Sequence, residues 1–153
     1  MTTALGRGVR EAAASPKVAS REAKRFLADL MDVPPRTRHG FMRELGPAEW
    51  KELCLAAQMV MGTPYALWQD DPSGFVQQVL GESMWSKSRD LLDAIPKHER
   101  VAVPSCYSSS KTWSLSRCVL WHTAVHPVGT ALAVTIAPKW RQVQRLMWPE
   151  LRK

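Results

Sequence analysis

Val101-Ala-Val-Pro-Ser-Cys-Tyr-Ser-Ser-Ser-Lys-Thr-Trp113 is the stretch on which the reading of this chain turns: a short apolar run gives way to small polar residues and then to a Lys-Thr pair. It reads as strand, phosphate-binding loop and helix. Holding phosphates requires several inward-pointing backbone N–H groups, a lysine that reaches the outer phosphates, and a Ser or Thr hydroxyl for Mg²⁺ at a helix N-terminus. Lys111 and Thr112 supply the last two, and Ser105, Cys106, Tyr107, Ser108, Ser109 and Ser110 would line the cradle. In the pattern G-x-x-x-x-G-K-[ST] the two glycine positions fall here on Ser105 and Ser110. Glycine is favoured there because the backbone approaches the phosphates closely and can need φ > 0, which costs a residue with a Cβ about 1 kcal/mol or more.

The flanks supply the context the motif needs. Arg100 to Pro104 reads as a short buried strand, and Thr112 to His126 carries Leu115, Cys118, Val119 and His122 at helical spacing. His126-Pro-Val-Gly129 is a stop signal, after which Thr130-Ala-Leu-Ala-Val-Thr-Ile136 is a continuous β-favouring run. Continuous rather than alternating apolarity predicts a strand covered on both faces. Two such strands joined by a helix make a right-handed parallel βαβ unit, so the fold expected is α/β.

Outward from this centre the remaining chain reads as helices. Ser15-Pro16 opens one that carries Phe26, Leu27, Leu30 and Met31 and ends at Val33-Pro34-Pro35. Arg36, Arg38, Arg43 and Lys51 read as a wet helix surface. Gly46-Pro47 starts a second helix, with Trp50, Leu53, Cys54, Ala57, Val60 and Met61 on one face and a break at Gly62-Thr-Pro64. Asp71-Pro72 caps a short helix that Gly81 closes, and Ser86 opens another bearing Leu91, Leu92 and Ile95. Ala137-Pro-Lys-Trp140 leads into a last helix with Trp140, Val143, Leu146 and Met147 inward and Arg141 and Arg145 on the other side. The expected organisation is a disordered basic tail over 1–15, a helical appendage over 16–62 and an α/β domain over 63–153.

Several function classes are excluded or weakened by composition. Apolar content of 45% with 23% charged residues describes a globular chain, and no stretch approaches the roughly 20 apolar residues of a membrane span. Met1 to Arg10 holds no apolar core of a secretory signal. Three cysteines, Cys54, Cys106 and Cys118, lack paired spacing, which suits a reducing compartment. His122 and His126 stand four apart without a carboxylate at a useful distance, so they read as a helix face and its end rather than metal ligands. The net charge of +7 is concentrated at the ends, with nine Lys/Arg against four acids over 1–43 and five against one over 139–153. Basic ends on a near-neutral middle suit a polyanion such as DNA.

Four segments, Leu67-Trp-Gln-Asp-Asp-Pro-Ser-Gly-Phe75, Met84-Trp-Ser-Lys-Ser-Arg-Asp-Leu-Leu92, Val101-Ala-Val-Pro-Ser-Cys106 and Val134-Thr-Ile-Ala-Pro-Lys-Trp140, resemble in order and spacing the N-terminal ATPase region of tailed-bacteriophage terminase large subunits. The resemblance covers about Tyr65 to Lys153. It implies the front part of a P-loop NTPase core of the ASCE type, binding ATP and Mg²⁺, in a motor that drives double-stranded DNA into a prohead in the bacterial cytoplasm. It implies as partners the phage portal protein, the small terminase subunit and further copies on the motor, with no membrane. Trp85 and Ser88 fall where the family reads adenine, although Ser88 stands where a glutamine is expected. Arg141 and Arg145 fall where the family couples nucleotide state to DNA, which makes them candidate nucleic-acid contacts. The acidic strand that completes the metal shell and the nuclease domain have no counterpart before Lys153, so strong ATPase or nuclease activity is not expected of this chain, and no catalytic residue is assigned. A rival reading keeps the loop as degenerate and the chain as a non-catalytic basic module that contacts DNA or a motor subunit. A third, an unrelated helical protein with a serine-rich surface loop, requires that 101–104 and 130–136 not be neighbouring parallel strands.

Overall fold

The computed structural model describes residues 18–106 and 109–152, and within them every regular element is helical. The chain divides into two compact units, Met1–Leu67 and Trp68–Lys153.

The first unit holds α1 (Val18–Asp32), α2 (Pro35–Glu44) and α3 (Pro47–Met61). Prolines at the first helical position start α2 and α3, where a missing N–H costs nothing. Glu49 reaches back to accept the Gly46 N–H at 3.0 Å, and Gly62 ends α3 with φ +80 while its N–H donates to the Gln58 carbonyl at 3.0 Å. α1 packs on α3, and Leu27, Leu30, Met42, Leu53 and Ala57 are buried. Arg38 departs from the expected wet surface. It is fully buried, with Nη1 donating to the Met31 carbonyl at 3.4 Å. The tail assigned to 1–15 and the helix start at Ser15-Pro16 lie outside the described residues.

The second unit is built on α6 (Lys111–Val125), against which α4 (Pro72–Gln78), α5 (Ser86–Ala94) and the C-terminal helical run pack. That run, α7 (140–151), joins an α turn at Trp140–Gln142, a π-helical stretch at Val143–Met147 and an α turn at Trp148–Leu151. Asp71 caps α4 by accepting the Gly74 N–H at 2.8 Å. Ser73 Oγ donates to Asp93 Oδ1 at 2.5 Å, which ties α4 to α5. Trp121 is anchored by its indole N–H, which donates to the Trp68 carbonyl at 2.6 Å, and Gln69 Nε2 donates to the Val125 carbonyl at 3.0 Å. With Trp68, Phe75, Val76, Leu92 and Val125 all buried, these contacts close a helical core.

The α/β expectation, an incomplete P-loop core with a parallel βαβ unit, is overturned. Among the described residues there is no strand and no sheet. Segments 101–106 and 131–137 are irregular, yet neither finds a ladder partner, and Leu132, Val134 and Ile136 are 81%, 72% and 89% exposed. The reason lies in α6. A parallel pair is stable only when helices cover both its faces, and two strands alone are marginal. Here the inward side of α6, with Trp121 and Val125, is taken up by α4, α5 and α7, and the two runs pair neither with each other nor with another segment among the described residues. The arrangement required by the unrelated-helical-protein reading is therefore the one found for 101–104 and 130–136.

The helical phase of α6 also differs from expectation. Its buried residues are Ser114, Ser116, Arg117, Trp121 and Val125, whereas Leu115 is 48% exposed and Cys118, Val119 and His122 are half-buried. In α7, Val143 and Met147 are inward as expected, but Trp140 and Leu146 are 66% and 56% exposed. No helix among the described residues is long and apolar enough to cross a membrane.

Candidate phosphate-binding site

Ser105, Cys106 and Ser109 turn oxygens towards the lysine that begins α6. Lys111 Nζ donates to the Ser105 carbonyl at 3.1 Å, to the Cys106 carbonyl, and to Ser109 Oγ at 3.1 Å. Ser109 Oγ in turn donates to the Cys106 carbonyl at 2.9 Å. An ammonium has three N–H donors. All three are met by loop acceptors, so Lys111 closes the bend as an internal cation.

Ser110 stands at the helix entrance with φ +56 and ψ +20, the one non-glycine residue with positive φ among those described. This is the glycine position nearest the lysine, and the left-handed backbone explains why glycine is favoured there. Its side chain makes no capping bond. Its carbonyl starts the helix by accepting the Ser114 N–H at 2.9 Å and the Ser114 hydroxyl at 3.0 Å. The N–H groups of Lys111, Thr112 and Trp113 precede that first described intrahelical bond, at the positive end of a 15-residue helix.

Val101 to Cys106 and Ser110 are exposed, and Ser109, Lys111 and Thr112 are half-buried, so solvent reaches the loop. Tyr107 and Ser108 lie outside the described residues. The structure therefore brings Ser105, Cys106 and Ser109 onto Lys111, with Ser110 and Thr112 its neighbours at the helix start. The two adenine-site candidates have opposite exposures: Trp85, the cap of α5, is 58% exposed, whereas Ser88 is buried at 3%. Arg141 and Arg145 are exposed on α7.

An unforeseen cluster fixes the first turns of α6. Arg117, its side chain 3% exposed, forms a two-pronged pair with Glu82, Nε to Oε2 at 2.7 Å and Nη2 to Oε1. Its Nη1 donates to the Ser116 hydroxyl at 3.1 Å, the Glu150 carbonyl at 2.9 Å and Glu150 Oε2 at 3.4 Å. The guanidinium also lies 5.1 Å from the Trp113 ring centroid. One side chain thus links the turn after α4, the helix behind the loop, and α7. Its signal in the sequence is Ser114, Arg117, Trp121 and Val125, a face at helical spacing that a charge and a hydroxyl hide from any count of apolar residues.

The thiols and imidazoles have structural explanations. Burial pushes the Cys118 thiol up to about 12 and raises that of Cys54 as well. The His122 and His126 rings lie 4.6 Å apart, and an Nδ1–H on His126 donates to the His122 carbonyl at 2.7 Å. Burial first, and then His126, lower the His122 pKa below its ordinary 6.5. No group of three or more His, Cys, Asp or Glu among the described residues could hold a metal ion.

Comparison of the chain with protein-family models, curated proteins and solved structures finds no match.

Proposed function

We propose that Lys111, with Ser105, Cys106, Ser109, Ser110 and Thr112 about it, binds the phosphates of a Mg²⁺-nucleotide, in a chain that serves a DNA-packaging motor of the terminase large-subunit kind. The observation that carries this reading is the closure of the loop around Lys111, with Ser110 in the conformation a glycine would take. Lys111 is held in place by loop acceptors, and a phosphate oxygen would take the place of one of them. The helix N-terminus adds its own partial positive charge.

ATP would meet this donor set through its phosphates. Lys111 would hold the outer oxygens, and the N–H groups at the start of α6 would take the others. Thr112, half-buried in the first helical turn, is the protein ligand available to Mg²⁺. When bound, the ion neutralises phosphate charge. The proposal is of binding, with no residue assigned to turnover. Double-stranded DNA, a portal protein, a small terminase subunit and further copies of the chain are the partners that belong to it.

The competing reading, a degenerate loop in a basic module that contacts DNA or a motor subunit, is favoured by the unpaired segments 101–106 and 131–137. Titration with a fluorescent ATP analogue and Mg²⁺ separates the two. Saturable binding lost in Lys111→Ala and tightened in Ser110→Gly supports the nucleotide site. No Lys111-dependent signal, together with salt-sensitive DNA binding, selects the basic module.

A further inference from the structure

At the end of α6 away from the loop stand two imidazoles that the nucleotide reading leaves without a task. His122 lies in the last turn of the helix and His126 caps it, and both are half-buried, so solvent reaches them. Residues four apart share one side of a helix, and the two ring centroids are 4.6 Å apart with the planes inclined at 53°. The nitrogens of one ring are already assigned. A carbonyl only accepts, so the 2.7 Å contact of His126 Nδ1 with the His122 carbonyl places a proton on Nδ1, and in the neutral ring the lone pair is then on Nε2. Metal-ligating histidines adopt this arrangement, with the other ring N–H held by a carbonyl or carboxylate. Burial first, and then His126, lower the His122 pKa below its ordinary 6.5, so that ring too is neutral at pH 7 and above.

We propose that His122 and His126 together bind a divalent transition-metal ion. An imidazole nitrogen sits about 2.1 Å from such an ion and its ring centroid about 1.1 Å further back, so two rings on adjacent corners of a square or octahedral ion have centroids about 4.5 Å apart, against about 5.2 Å on a tetrahedral one. The 4.6 Å between these rings matches the first arrangement, and with imidazole ligands that geometry belongs to Ni²⁺ or Cu²⁺. Mg²⁺ takes oxygen ligands instead. Charge agrees with a cation here. The pair sits at the negative end of the α6 dipole, and no Lys or Arg falls between Arg117 and Lys139 to repel the ion. No group of three His, Cys, Asp or Glu forms a closed site among the described residues, so the other corners belong to water and the ion exchanges readily. About 22 Å of helix separates the pair from Lys111, and the proposal stands apart from the nucleotide reading.

Isothermal titration of the full chain, without a polyhistidine tag, with Ni²⁺ at pH 7.5 tests it, and the expected result is one ion bound per chain. His122→Gln and His126→Gln should each weaken binding by roughly tenfold or more, because a lone imidazole loses the gain of two linked ligands. His98→Gln, at an exposed position away from the pair, should bind as the parent does, and a large excess of Mg²⁺ should not compete. A second measurement needs no substitution: Ni²⁺ should shield the peptide 118–139, which holds both rings, from modification by diethyl pyrocarbonate, while His98 stays reactive, as read by mass spectrometry. The proposal is overturned if folded His122→Gln and His126→Gln chains bind Ni²⁺ as tightly as the parent, if Cys106→Ser abolishes the binding, or if the ion leaves modification of 118–139 unchanged.

Discussion

Substituting Ser110 by glycine should stabilise the second unit, against the usual expectation for a glycine introduced beside a helix. Ser110 holds φ +56 and ψ +20, a left-handed conformation that costs an L-residue with a Cβ roughly 1–2 kcal/mol. Glycine removes that cost but brings roughly 0.5–1 kcal/mol of extra unfolded-chain entropy. The serine hydroxyl makes no capping bond, and the two bonds to the Ser110 carbonyl are main-chain properties that survive the change. The balance is a gain of about 0.5–1 kcal/mol, or some 2–6 °C in the melting of a unit this size. Ser109→Gly is the internal control. Its φ is not positive, so nothing is gained, while a donor to the Cys106 carbonyl and an acceptor for Lys111 are lost, at a net cost of about 1–2 kcal/mol. Urea denaturation followed by tryptophan fluorescence reads both, with Ser110→Ala expected to stay close to the parent because it keeps the Cβ. The strain argument fails if Ser110→Gly and Ser109→Gly shift the midpoint in the same direction, or if Ser110→Ala gains as much as glycine.

Removing one partner of the Arg117 cluster should be far more damaging than any surface change. Glu82→Ala leaves a guanidinium 3% exposed without its two-pronged acceptor, and because Glu82 itself is 31% exposed the loss is about 2 kcal/mol rather than the 3–5 of a fully buried pair, measured as a shift in urea midpoint. The exposed Cys106 should react with a thiol reagent at pH 8 in the native chain much faster than the half-buried Cys118, whose pKa burial pushes up to about 12; equal native rates would contradict that setting. For His122 the folded pKa lies below the unfolded one, so the unfolded chain binds more protons in the window between them, and stability should fall as pH drops below about 6.5 and level off under the folded value. His122→Gln should flatten that part of the pH profile, as read by thermal melting between pH 5 and 8.

The features that could be read from sequence are those whose constraint is local. Asp71 before Pro72, Gly62 after α3 and the proline starts of α2 and α3 each act within about four residues, and the structure realises them with bonds to Gly74 and Gln58. The contacts of Lys111 are local too, with acceptors two, five and six residues away, but they are loop oxygens that the phosphate-loop expectation did not include. The run 130–136 belongs to the other class. Its residues favour strand, but strand preference expresses packing against neighbours that the run itself does not contain, and Leu132 and Ile136 remain in solvent with no strand beside them among the described residues. Arg117 was hidden for the same reason, since its carboxylate partners lie 35 and 33 residues away and a charge on a helix ordinarily marks the wet face. The expectation of a sheet came from the two apolar runs themselves, and a run is read as a strand, like a cation as solvated, from its own residues alone. In both cases the outcome is set by residues distant in the chain.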